Sequence, residues 1–93
     1  MNDSRWISVK ERLPEIKEGD DSIRVIATWT YQGYSIINVS ELTFSNDLES
    51  LWVDDDGPNE GFCDWIEDGY ERVEAIAWMP LPEPYKEESN DKY

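Results

Sequence analysis

Ile23-Arg24-Val25-Ile26-Ala27-Thr28-Trp29 is the stretch that decides the fold. It is rich in β-branched and aromatic residues, and Ile23, Val25, Ala27 and Trp29 fall on one face of a pleated strand. Tyr31-Gln32-Gly33-Tyr34 follows as a turn, in which Gly33 is free to take positive φ. Ser35 to Phe44 reads as a second strong strand. Ile37, Val39, Glu41 and Thr43 line one of its faces; Ile36, Asn38, Ser40, Leu42 and Phe44 line the other. Both faces mix apolar and polar side chains, so this strand is expected to twist, bulge or cross between two environments. The short connection makes the two strands an antiparallel hairpin.

Outward from the hairpin the signals weaken. Trp6-Ile7-Ser8-Val9 alternates enough for a short strand or extended anchor. Pro14 pushes Leu13 out of the helical region, and Gly19-Asp20-Asp21 is a turn signal. On the other side, Ser45 to Ser50 predicts a loop or a helical turn. Leu51-Trp52-Val53 is expected as a third strand, and Asp54 to Gly61 as loop. Phe62-Cys63-Asp64-Trp65-Ile66 fits either a strand or a helix. Val73 to Met79 predicts a strand that stops at Pro80, with Leu81-Pro82-Glu83-Pro84 extended beyond it. The expectation is an α+β, mostly β, fold. Residues 1–84 form one small domain on an antiparallel sheet, with the hairpin at its centre and short or no helices. Residues 85–93 form a charged tail that frays.

A chain of 93 residues holds one modest core, burying about two-thirds of its unfolded surface. Five Trp, five Tyr and two Phe enlarge that core, since each buried aromatic removes roughly 150–250 Å² from water. The lone Cys63 excludes an internal disulfide framework. With no His, a soft-metal site within one chain is not expected, and no cofactor is implied. No apolar run approaches the length of a membrane span, and the first residues lack an apolar signal-peptide core. The chain reads as soluble and intracellular.

Its charge is regional. Twelve carboxylates lie between Glu41 and Glu74 against the single base Arg72, out of a net −14 for the whole chain. Such charge repels nucleic acid and anionic lipid and favours basic partners. Asp54-Asp55-Asp56-Gly57-Pro58-Asn59-Glu60 invites a calcium reading, but the spacing fails. Starting from Asp54, an EF-hand frame puts Pro58 at the fifth position and the Gly too early; starting from Asp56, Pro58 falls at the third. A solvated acidic loop is the simpler reading. Carboxylate pairs for glycoside hydrolysis are expected by chance where acids are so abundant. Cys63 has Asp64 beside it, which raises a thiol's pKa and disfavours a nucleophile; it reads as a small buried apolar residue.

Two segments resemble a known family. Trp6-Ile7-Ser8-Val9-Lys10-Glu11-Arg12-Leu13-Pro14 and Trp78-Met79-Pro80-Leu81-Pro82-Glu83-Pro84 are similar to the bookends of the domain of unknown function five hundred fifty-one, found in bacteriophages and bacteria. The resemblance implies a small sheet-containing domain in a phage or bacterial setting, and no activity. Members usually carry a His before the second Trp, where this chain has Ala77. The middle, Asn46 to Glu71, is longer and more acidic than the usual family loop. The bookends themselves read as structural, with rings packed on prolines, ahead of a proline-rich ligand surface.

A charge run usually serves solubility. Here it also has a cost, because like charges inside a Debye length of about 8 Å repel in a domain with little stability to spare. The acids are interleaved with Trp52, Phe62, Trp65 and Tyr70, and aromatics anchor interfaces. The functional expectation is a non-enzymatic acidic binding protein in the cytoplasm of a bacterial host. It would present nucleic-acid-like charge to the basic groove of a host nucleic-acid-binding protein, a CRISPR effector first and a restriction enzyme second. Asp54, Asp55, Asp56, Glu60, Asp64, Glu67, Asp68, Glu71 and Glu74 would supply the charge, and Trp52, Trp65 and Tyr70 the anchors. Direct contact with nucleic acid or membrane is not expected. A structural or assembly module whose acidity serves solubility is the alternative, and a small-molecule or metal-linked enzyme the third. The oligomeric state is open.

Overall fold

The computed structural model describes residues 5–53, 55–82 and 85. It is mostly β. Six strands, β1 (Ile7–Ser8), β2 (Ser22–Thr30), β3 (Asn38–Ser45), β4 (Gly61–Ile66), β5 (Gly69–Arg72) and β6 (Glu74–Pro80), form one sheet in the order β1-β6-β2-β3-β4-β5. Every pairing is antiparallel. Glu83 and Pro84 of the expected extended segment, residues 86–93 of the expected tail, and Asp54 lie outside the described residues.

The expected hairpin occupies the middle of the sheet as β2 and β3. Ile23 lies opposite Phe44 and Val25 opposite Leu42, and the inward face of β2 buries Val25, Ala27 and Trp29. The turn between the strands closes with Tyr34 N donating to Tyr31 O at 3.0 Å, and Gly33 takes φ 81. The second strand does cross between environments: Asn38 to Glu41 are half-buried or exposed, and Leu42 to Ser45 are all buried. It starts later than expected, however. The last pair is Trp29 with Asn38, and Ser35 to Ile37 pair with no residue of β2 and stay outside β3.

Leu51-Trp52-Val53 is not a strand. Leu48–Leu51 forms one turn of 3-10 helix, and Trp52 ends it in the left-handed region at φ 64. The apolar triplet misleads because Asn59, eleven residues beyond Leu48 in the chain, supplies the turn's missing partners. Its backbone carbonyl accepts from Leu48 N at 3.0 Å and its side-chain oxygen from Glu49 N at 2.7 Å.

A single sheet must roll to enclose a core, and the β5–β6 junction shows that this one does. Only Val73 separates these strands, yet they stand four places apart in the sheet. A flat sheet would place them about 19 Å apart at roughly 4.8 Å per strand, while one intervening residue spans about 7 Å. Val73 is buried at this corner and its N–H donates to Phe62 O at 3.0 Å. Val25, Ala27, Trp29, Leu42, Phe44, Phe62, Val73 and Trp78 form the enclosed core. Tyr31, just past β2, reaches across the roll to donate its hydroxyl to Asp64 of β4 at 3.2 Å.

The bookends are joined as a structural unit. Ile7 pairs with Trp78, whose indole N–H donates to Arg12 O at 2.9 Å, with the Arg12 guanidinium 5.7 Å from the ring centroid. Pro14 is buried and Ile16 packs on the core, so the N-terminal segment covers part of the inward face.

Candidate functional site

The β4–β5 hairpin carries the feature that core packing does not explain. It is the outer pair of the sheet, with Glu67 and Asp68 at its turn, between Ile66 and Gly69, which are Cα partners. The ambiguous Phe62 to Ile66 run is a strand because Phe62 pairs with Phe44 and Cys63 with Thr43. Alternation then sends Trp65, Tyr70 and Arg72 to one face and Asp64 and Glu71 to the other.

On the second face Asp64 and Glu71 stand directly opposite each other. Like charges so placed destabilise a ladder by up to about 1 kcal/mol. The Tyr31 hydroxyl is the one side-chain donor to this pair among the described residues. Its own pKa is raised, by burial first and then by the charge of Asp64 and its hydrogen bond, with Glu71 adding to it.

On the first face Trp65 and Tyr70 pack edge to face, with centroids 5.1 Å apart and planes at 76°. Trp65 is 60% exposed and Trp52 is 87% exposed. Trp52, Trp65, Tyr70 and Asp68 line a cleft of about 330 Å³ between the 3-10 turn and the hairpin. A larger open hollow of about 670 Å³ lies beside it, lined by Tyr31, Tyr34, Trp52, Ile66, Tyr70 and Glu71 among others.

Two of the loop acids serve the fold. Asp55 is bound by Arg72, which also donates to Pro58 O; the Arg72 hydrogen bond, followed by Gly57 N, lowers the Asp55 pKa. Asp47 is held by Ser50 and Asn59, which lower its pKa in that order. Among the described residues the ion pairs are Arg72–Asp55 and Arg24–Glu41.

The expected site residues therefore divide. Trp52, Trp65, Tyr70, Glu67, Asp68, Asp64 and Glu71 gather on or beside the hairpin. Asp56 and Glu60 are exposed on the loop leading into it. Asp55 is committed to Arg72, Glu74 begins β6 opposite Thr30, and Asp54 lies outside the described residues. Tyr31, Tyr34 and Ile66 belong to the site and were not foreseen. The first two carried only a turn signal, and their proximity to β5 depends on the roll. Cys63 is fully buried, and its thiol is pushed up to about 11, by burial first and by Asp64 second. Among the described residues no cluster of three potential ligands could hold a metal ion, and no helix is long and apolar enough to cross a membrane.

The family described as Protein of unknown function (DUF551) matches residues 5–86. That is most of the chain, and the chain belongs to this family. No curated protein and no solved structure gives a significant match.

Proposed function

We propose that this member of the DUF551 family is a non-enzymatic acidic binding protein, whose β4–β5 hairpin docks on a basic surface of a nucleic-acid-binding protein. The carrying observation is that one face of this hairpin sets Asp64 against Glu71 while the other exposes Trp65, with the exposed Trp52 across a cleft from it, so that a groove gripping the hairpin meets both. Asp64 accepts from Tyr31, but Glu71 opposite it accepts no side-chain hydrogen bond among the described residues and adds repulsion, and exposing two indoles forgoes about 25 cal/mol for each Å² left in water. An interface recovers both costs: lysine and arginine pair with the carboxylates, and the rings become anchors.

The spacing supports mimicry of nucleic acid. Carboxylates on neighbouring strand positions lie about 5–7 Å apart, close to the spacing of phosphates along one strand of a duplex, and a groove built for phosphates accepts them. In a phage or bacterial cytoplasm, the fitting target class is a host defence protein that grips nucleic acid, a CRISPR effector before a restriction enzyme. Electrostatic steering would speed the encounter.

The test is capture of partners from a bacterial host lysate at low and high salt, with wild type and with the triple variant Glu67→Lys, Asp68→Lys, Glu71→Lys. Salt-sensitive capture of a nucleic-acid-binding protein, lost in the variant, is the expected result. Unchanged capture by the variant would sink the reading. Asp55 is left alone, because reversing it breaks the Arg72 contact and confounds binding with folding.

A further inference from the structure

The roll of the sheet leaves a seam. β5 is the last strand and has β4 as its sole strand partner, so that, among the described residues, one edge of its backbone is unpaired. The hollow of about 670 Å³ lies along this strand, and Tyr31, Tyr34, Trp52, Ile66, Tyr70 and Glu71 contribute to its walls. Backbone donors and acceptors are thus available in a trough with aromatic side chains on its sides.

We infer that β5 accepts an extended basic peptide segment as a seventh, added strand. The inference rests on the proposed basic partner and specifies which part of that partner docks here. Main-chain hydrogen bonds to an open edge supply affinity, and side chains pointing alternately to the two faces supply selectivity. One set meets Glu71, the other Tyr70 and Trp52 beside the Arg72 that Asp55 neutralises. Lysine or arginine suits both, through carboxylate pairing or by lying over an aromatic face.

Charge selects the occupant. Open edges invite pairing with any free strand, and proteins protect them with short, charged edge strands. β5 has four residues, Gly69–Arg72, and its one base is bound to Asp55. The exposed charge left on the hairpin is negative. A second copy, at net −14, would bring the same sign to the seam and be repelled. A basic strand is attracted by the same groups.

The experiment uses the isotope-labelled full chain and two short peptides of alternating lysine and valine, one unmodified and one N-methylated on every second residue. Methylation keeps the charge and removes strand hydrogen bonding. The expected result is slowed amide exchange in residues 69–72 with the unmodified peptide, and a loss of roughly tenfold or more in affinity with the methylated one. Equal binding of the two peptides overturns strand addition and leaves the basic-partner reading standing. Binding of neither at low salt overturns strand addition and counts against that reading as well.

Discussion

Arg72 of β5 grips Asp55 of the preceding loop at two points, Nε to Oδ2 at 2.7 Å and Nη2 to Oδ1 at 3.0 Å. The same guanidinium donates to Pro58 O and lies within 3.5 Å of Glu60 O. One side chain thereby ties the loop carrying Trp52 to the hairpin carrying Trp65 and Tyr70. The loop is shaped to admit it: a Cβ on Gly57 would sit 2.7 Å from Arg72 Cζ, and one on Gly61 2.7 Å from Arg72 Nη1.

Arg72→Ala should therefore free the loop without unfolding the sheet. The Asp55 partner is partly exposed, so the ion pair itself is worth at most about 1 kcal/mol. Loss of the carbonyl contacts brings the expected total to about 1–3 kcal/mol. Urea unfolding measures this cost, and faster amide exchange at Trp52 and Val53 locates it. Arg72→Lys should recover little, since a point charge cannot reach Asp55 and two carbonyls together. Full recovery by lysine would show that charge alone holds the loop.

The same contact fixes a pH dependence. The folded Asp55 carboxyl sits below its ordinary value, so the folded state binds its proton more weakly than the unfolded chain does. The resulting stability is present in full above an ordinary Asp pKa of about 3.9. It is lost as pH falls through the lowered value. Asp55→Asn should be less stable than wild type at neutral pH, and the two should converge in acid. Urea midpoints measured at both ends of that range check the sign.

Cys63 offers a probe of opening. A fully buried thiol pushed up to about 11 holds very little thiolate at neutral pH, and the thiolate is the reactive form. Thiol reagents should label the native chain only as fast as β4 separates from its neighbours, and added urea should accelerate labelling steeply. Rapid stoichiometric labelling without denaturant would contradict this packing.

The bookends predict a stability effect separate from the site. Trp78 is buried, and its indole N–H is committed to Arg12 O. Trp78→Phe keeps a ring but loses this hydrogen bond to the exposed Arg12, for an expected loss of about 0.5–1.5 kcal/mol. Trp78→Ala should cost about 3–5 kcal/mol. Thermal melts of the two variants order these effects.

The central hairpin was legible because its signal is local: Ile23, Val25, Ala27 and Trp29 alternate, and Gly33 marks the turn. The acidic region was legible as composition. What escaped was set by contacts distant in sequence. Asn59 turned Leu48–Leu51 into a helical turn, so Trp52 became a cap instead of a strand residue. Arg72 withdrew Asp55 from the acidic surface. The roll at Val73 brought Tyr31 to Asp64, and no periodicity in the chain encodes that meeting.

The hairpin acids supply the sharpest division between stability and binding. Glu71→Lys converts the facing pair with Asp64 into an attractive one, a change of up to about 1–2 kcal/mol in favour of folding. Glu67→Lys and Asp68→Lys reduce repulsion across the region further. The triple variant should therefore melt at a higher temperature than wild type. Added salt should raise the wild-type melting temperature by screening the same repulsion, and should do less for the variant. Binding to a basic partner should move the other way, weakening with each reversal. A chain whose carboxylates serve only solubility would show the stability gain with no loss of any partner. Calorimetry on the melts, run beside the lysate capture, separates the two, because the stability gain is common to both readings and the loss of a partner belongs to binding alone.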